Sequence, residues 1–205
     1  MFNVVYQRML ITGQPKQVRA VMESIRGRCG TENSWFDLAS IVEMPEAVKI
    51  SAELTNLDII YEIYRENEIR KLNERIMEAE ERCLAETGYM NWREWTFEHW
   101  GSGSNVSDVV EGEPGELRFR SDFAPITAAL RALSAKFKDI DILLEFVDSG
   151  RAFVGFMVFI DGQEDRFLLD WCSTDARDMR RRLDCIDDAV DEGDDLYPPP
   201  TEHIN

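Results

Sequence analysis

At 205 residues, with 44% hydrophobic and 31% charged side chains, the chain has a globular composition and is long enough for one well-filled domain with insertions, which argues against two unrelated full domains. Its 40 acidic residues against 23 Lys and Arg give a formal charge of -17, which speaks against direct nucleic-acid binding and for partners with a basic surface, or for solubility alone. No apolar run approaches the roughly eighteen residues of a membrane span, and "MFNVVYQRMLITG" lacks the pattern of a secretory leader, so a cytoplasmic protein without a membrane partner is expected.

In chain order, "NVVYQRMLI" (3–11) alternates as a strand, "TGQP" is a turn, and "KQVRAVMESIRGRCG" sets Val18, Val21, Met22 and Ile25 on one face of a helix. "WFDLASIVEMPE" (35–46) is expected to be a second extended segment broken by Pro45. Residues 54–88 contain no internal proline or glycine and predict one long helix or a helical hairpin, with a partial stripe of Ile59, Ile60, Ile63, Ile69, Leu72 and Ile76. Glu66/Arg70 and Glu78/Arg82 are spaced as ion pairs on its solvated face. Trp92, Trp95 and Trp100 then fit a short amphipathic helix whose indoles are buried against a sheet.

The later half repeats the order strand, helix, strand. "ELRFRS" (116–121) is a strand, and "APITAALRALSAKF" (124–137) is a helix with Ile126, Leu130, Leu133 and Phe137 toward the core. "DILLEFVD" and "RAFVGFMVFIDG" are two more strands joined at Asp148-Ser149-Gly150. The expected fold is an α+β, ferredoxin-like sandwich, with helices on one face of a mixed sheet. Its domain spans 1–165, with a helical insertion at about 54–100, and 166–205 supplies a C-terminal strand, an added C-terminal helix and an acidic, Pro-rich tail. Ser173 or Thr174 would cap that helix, expected to run to about Val190. Residues 184–205 hold eight acids and no Lys or Arg, or -8 of the total -17.

Chemistry-bearing motifs are sparse. Cys29, Cys83, Cys172 and Cys185 show no metal or disulfide spacing and read as free thiols, and with only His99 and His203 available no metal and no cofactor are expected. "HWGSGSNVSDVV" (99–110) has glycines but no following lysine, so it is not a phosphate loop of Walker type. His99 with Ser102, Ser104 and Asp108 is the one set from which a hydrolase could be built, and it lacks a recognisable spacing of nucleophile, base and orienter. "GRAFVGFMVF" partly matches an RNA-recognition strand, with Phe153, Gly155, Met157 and Phe159 on one face; base stacking there would require Phe153 and Phe159 to be exposed.

Several stretches together, "LITGQPKQV", "IVEMPE", "WREWTFEHWGSGSNV", "LRFRSDFAPITAALRALSAKF" and "LEFVDSGRAFVGFMVFIDG", resemble the YubB ferredoxin-like domain family of plasmid and phage proteins over roughly residues 1–165. Asn3, the pair Met44-Pro45 and the pair Trp100-Gly101 match the family pattern. Ser102, Gly103, Ser104 and Asn105 stand where the family carries Thr-Lys-Trp-Asn, so a ligand site built on that lysine and tryptophan is missing here. The resemblance implies an accessory protein of a mobile element. Combined with the charge, it leads to the expectation of a non-enzymatic, DNA-mimicking inhibitor of a host or defence protein, of anti-CRISPR or anti-restriction type. Its expected partner-binding residues are Glu74, Glu78, Glu81, Trp100, Asp187, Asp188 and Asp191.

Overall fold

The first strand carries the plan of the whole molecule. Val5, Gln7, Met9 and Ile11 point to one side of it and Val4, Tyr6, Arg8 and Leu10 to the other, so each face of the sheet receives a different kind of residue. A computed structural model describes residues 3–27, 36–55 and 66–183. Its elements are β1 (Val4–Gly13), α1 (Pro15–Ser24), α2 (Glu46–Leu54), α3 (Glu66–Thr87), α4 (Trp92–His99), β2 (Ser107–Glu111), β3 (Glu116–Asp122), α5 (Thr127–Lys136), β4 (Ile140–Asp148), β5 (Val154–Ile160), β6 (Gln163–Leu168) and α6 (Thr174–Arg182).

The sheet runs β2-β3-β1-β4-β5-β6. Its first four strands, with α1 and α5 as crossovers, give the β-α-β-β-α-β order of a ferredoxin-like sandwich, and β5 and β6 extend it as a meander. Every pairing is antiparallel, which corrects the expected mixed sheet: the two crossovers join parallel strands that are separated by a third strand, β1 with β2 and β3 with β4, while β2–β3, β4–β5 and β5–β6 are consecutive strands that reverse direction. β6 pairs with β5 from Gln163 to Leu168, so the sheet continues across residue 166.

The main core lies between the sheet and its helices. It joins Val5, Met9 and Ile11 of β1 to Val21 and Met22 of α1, to Leu130 and Leu133 of α5, and to Phe146, Met157 and Phe159 of the later strands. A second, smaller core lies on the reverse face, where Ala176, Met179 and Leu183 of α6 cover Val147 and Val154. The sandwich therefore has helix on both faces, unevenly.

Three expectations are corrected. Residues 35–46 do not form a strand: Phe36 makes a lone bridge to Arg26, and the Asp37 side chain accepts from Ala39 N at 2.9 Å, closing a 3-10 turn at Leu38–Ser40. Ile41, Val42 and Met44 still pack against the core, which accounts for the apolar pattern without a strand. The second strand of the fold is β2, so the insertion into the ferredoxin-like order begins before α2 and not at residue 54. Pro45 stands at the N-cap of α2, where its φ of -60° suits a helix start. The helix expected over 124–137 starts at Thr127.

Ser173 caps α6 as expected, accepting from Ala176 N at 3.1 Å. The expectations that rest on Cys29, Ile59, Ile60, Ile63, the Glu66 side chain, Cys185, Asp187, Asp188, Asp191, His203 and the extension of α6 to Val190 fall outside the described residues.

Candidate functional site

α3 carries the first candidate surface. Along its 22 residues Leu72, Ala79 and Cys83 are buried and Ile76 is half-buried, a narrow stripe at three- and four-residue spacing that seats the helix on α2. Glu74, Glu78 and Glu81 are all exposed. Three apolar side chains share this exposure, Ile69 at 45%, Met77 at 61% and Leu84 at 50%, and Ile69 thereby leaves the core stripe expected for it. Arg70 approaches Glu74 at 4.0 Å, and Arg82 donates at 2.6 Å to Glu86, one turn onward along the helix, whereas the Glu78 expected as its partner lies one turn back. Its hydrogen bond to the Glu86 carboxylate raises the pKa of the Arg82 guanidinium. Glu78 and Glu81 sit on a helix whose own cations are partly turned to other acids.

Trp100 is not part of that surface. It is 4% exposed, its ring meets Trp95 edge-on at 5.6 Å, and its Nε1 donates to Val42 O at 3.0 Å. Its placement among the partner-binding residues is corrected: the indole is large enough to fill the space between α4 and the 38–44 segment, and its one polar atom is satisfied there.

The stretch after it is a structural junction. Gly101 holds φ at +84°, and a Cβ there would lie 2.7 Å from Thr127 N. Ser102 Oγ donates to Asp122 O at 3.2 Å, and Ser104 Oγ to Asp122 Oδ2 at 2.6 Å. Asn105 accepts from Leu38 N at 3.0 Å and donates to Asp37 Oδ1 at 2.8 Å. Four segments meet around Trp100–Asn105: α4, the 37–42 turn, the end of β3 and the start of α5.

The same geometry disperses the hydrolase set. His99 lies flat on Trp95 at 4.5 Å and edge-on to Tyr89 at 5.4 Å, Ser102 and Ser104 turn to Asp122, and Asp108 accepts from Arg120 at 3.1 Å. Among the described residues no group of three His, Cys, Asp or Glu is placed to hold a metal ion. The RNA-recognition face meets a similar outcome. Phe159 is 0% exposed, Met157 is 1% exposed, and Phe153 packs edge-on against Phe146 at 5.9 Å, all on the helix-covered side.

The second surface escaped the sequence reading and lies on the reverse face of the sheet. Glu116, Arg118 and Arg120 of β3 project there with Tyr6 and Arg8 of β1 and Glu145 of β4, because the registers pair Arg8 with both Arg118 and Glu145. Arg8 donates to both oxygens of Glu116, at 2.9 and 3.2 Å, and to Glu145 at 3.0 Å. Arg118 adds a bond to Glu116 at 3.1 Å, and Arg182 of α6 reaches Glu145 at 2.7 Å. The result is a ladder, Arg118–Glu116–Arg8–Glu145–Arg182, crossing three strands and one helix. Hydrogen bonding from Arg8 holds the Glu116 carboxyl below its usual range, and the same bond raises the Arg8 guanidinium. Beside the ladder, Arg120 stacks over the Tyr6 ring at 5.0 Å. The available signal was the charge at 116, 118 and 120, every second residue of a strand, together with Arg8 as the one charged residue of β1 and Glu145 set between apolar neighbours in β4.

No protein-family model matches the chain, and no curated protein matches it. Among solved structures, it is similar to the crystal structure of protein api92 from Yersinia pseudotuberculosis, described with the family model DUF1281, at 11% identity and a TM-score of 0.44, over 83% of this chain and 99% of that one.

Proposed function

We propose that the chain is a non-enzymatic accessory protein of a mobile genetic element that binds a host or defence protein through a basic surface on that partner. The mobile-element setting follows from the resemblance to the YubB family. The observation that carries the binding mode is α3, where the exposed carboxylates Glu74, Glu78 and Glu81 alternate with the exposed apolar residues Ile69, Met77 and Leu84. Carboxylates on a helix give steering and register toward a cationic groove, and apolar anchors between them supply the contact area that charge alone does not. A nucleic-acid-handling complex of anti-CRISPR or anti-restriction relevance has such a groove, because it must itself hold phosphates.

The test is capture of partners from a host lysate by the full chain, followed by titration with the purified partner. Affinity should fall with added salt and at least tenfold, about 1.4 kcal/mol, when Glu74, Glu78 and Glu81 are reversed to Lys. Reversal of Asp187, Asp188 and Asp191 is the parallel arm for the acidic tail. A partner whose affinity ignores both salt and all six reversals refutes mimicry, and a lysate yielding no specific partner counts against inhibition itself.

A further inference from the structure

A gap in the helix-covered face of the sheet opens beside Gly155. Phe146 lies across from this position on β4, Leu168 across from it on β6, and Phe153 and Met157 stand two residues to either side. All four line a cavity of about 250 Å³, which Gly101, Pro125 and Thr127 complete at the start of α5. The backbone fixes both glycines: a Cβ on Gly155 would run into Phe167 O, and one on Gly101 into Thr127 N. Neither position can send a side chain to fill the space.

The lining is apolar with two exceptions. Phe146 and Met157 are each 1% exposed and form the inner wall, while Leu168, at 63%, and the exposed Arg166 stand at the mouth. Arg166 is the one charged residue of the lining, Thr127 contributes the one hydroxyl, and neither side chain makes a hydrogen bond or ion pair with a described residue. The acids nearest in the fold are placed elsewhere. Glu164 is held by Arg131 at 2.9 Å, Asp122 accepts from the Ser104 hydroxyl at 2.6 Å, and Asp165 alternates to the opposite face of β6. Asp148 accepts from Ala152 N at 2.9 Å and does not line the cavity, and the first turn of α5 contains no acid.

We infer that this cavity binds a compact apolar monocarboxylate, its body against Phe146, Phe153 and Met157 and its carboxylate on the Arg166 guanidinium and the Thr127 hydroxyl. Size sets the class. An apolar cavity of about 150 Å³ takes up benzene, so this one has room for a ring or branched chain with a short acid arm. It falls below the roughly 300–1,000 Å³ of sites for drug-sized ligands and cofactors. Charge sets the rest, because a guanidinium without a carboxylate of its own pairs with an incoming one through both oxygens. The site shares no residue with the proposed partner surface on α3, and either can fail without the other.

The experiment titrates the full, isotopically labelled chain with phenylacetate, using phenylacetamide as the uncharged counterpart and acetate as the counterpart without a ring. Phenylacetate should shift the backbone amides of Gly101, Thr127, Gly155 and Leu168 saturably, and both counterparts should bind at least about tenfold more weakly. Arg166→Gln should weaken phenylacetate roughly ten- to a hundredfold and leave the affinity for phenylacetamide unchanged, which separates loss of the cation from loss of the cavity. Leu168→Trp, at the exposed mouth, should block acid and amide alike. If Arg166→Gln disturbs the fold, the comparison of acid with amide on the unaltered chain decides by itself. Equal affinity for acid and amide, equal affinity for phenylacetate and acetate, indifference to Arg166→Gln in a folded variant, or no saturable shift at these four amides each overturns the inference.

Discussion

Gly101 shows how one residue can fix a junction between four segments. Its φ of +84° lies in the left-handed region, and a Cβ would stand 2.7 Å from Thr127 N and 2.9 Å from Pro125 O, both backbone atoms that cannot move aside without shifting the start of α5. Gly88 has a similar φ of +81°, with nothing within 4 Å of the same position. Comparing the two separates conformation from crowding. Gly88→Ala should cost about 1 kcal/mol, the left-handed penalty alone, whereas Gly101→Ala should cost about 2–4 kcal/mol once the displaced backbone is added. Urea unfolding of both variants checks this, and equal losses would show that the α5 start yields freely. Trp100→Phe belongs to the same junction: it keeps most of the apolar ring but leaves Val42 O without the indole donor, and should cost about 1–3 kcal/mol by the same measurement.

At the scale of elements, α3 divides into a face that stabilises and a face that is offered to solvent. Leu72 is 6% exposed and seats the helix, so Leu72→Ala should cost about 2–4 kcal/mol. Ile69 is 45% exposed, and Ile69→Ala should stay within about 0.5 kcal/mol. Denaturation curves of the pair would also distinguish an exposed Ile69 from one held in the core stripe. Much of this scale was legible from the chain. Alternation in β1, β3, β4 and β5 and the 3.6-residue stripes of α1 and α5 were strong because each element has one face in the main core, which imposes a period. The 35–46 segment misled for a physical reason. Its apolar residues are buried by a 3-10 turn that caps itself through Asp37, and burial without a partner strand leaves the same composition as burial with one. The arginine ladder was hidden for another reason. Arg118 and Arg120 look like an ordinary solvated face of β3, and only the register that sets Arg8 between Arg118 and Glu145 turns them into a network.

For the molecule as a whole, electrostatics pull in two directions, and their pH and salt dependences separate them. Glu116 is ionised more readily when folded than when unfolded, because Arg8 donates to it. A depressed carboxyl pKa contributes stability that is complete above the unfolded value of about 4.3 and is lost as pH falls through the folded value. Arg8 is raised from an already high value, so its contribution stays constant through the acid and neutral range. Glu116→Gln should therefore cost most at neutral pH, and its deficit relative to the unaltered chain should shrink steadily as pH is lowered from about 5 toward 2. Taking the difference between the two proteins cancels the general effect of neutralising the other acids.

Salt tests the opposing force. A net charge of -17 pushes the surface apart over a long range, while the ladder contacts are short, 2.7 to 3.2 Å, and Glu116 and Glu145 are each 7% exposed. Raising ionic strength from about 0.01 M to 0.15 M shortens the Debye length from about 30 Å to 8 Å. That change removes most of the diffuse repulsion and leaves close, buried pairs nearly intact. The melting temperature should rise over this interval. A fall would mean that exposed attractive pairs such as Arg82–Glu86 and Arg131–Glu164 hold the fold more than self-repulsion loosens it. Replacing Arg82 and Arg131 by Gln decides between the two, because the salt-induced rise should persist, and steepen, when those attractions are removed from an otherwise repulsive surface.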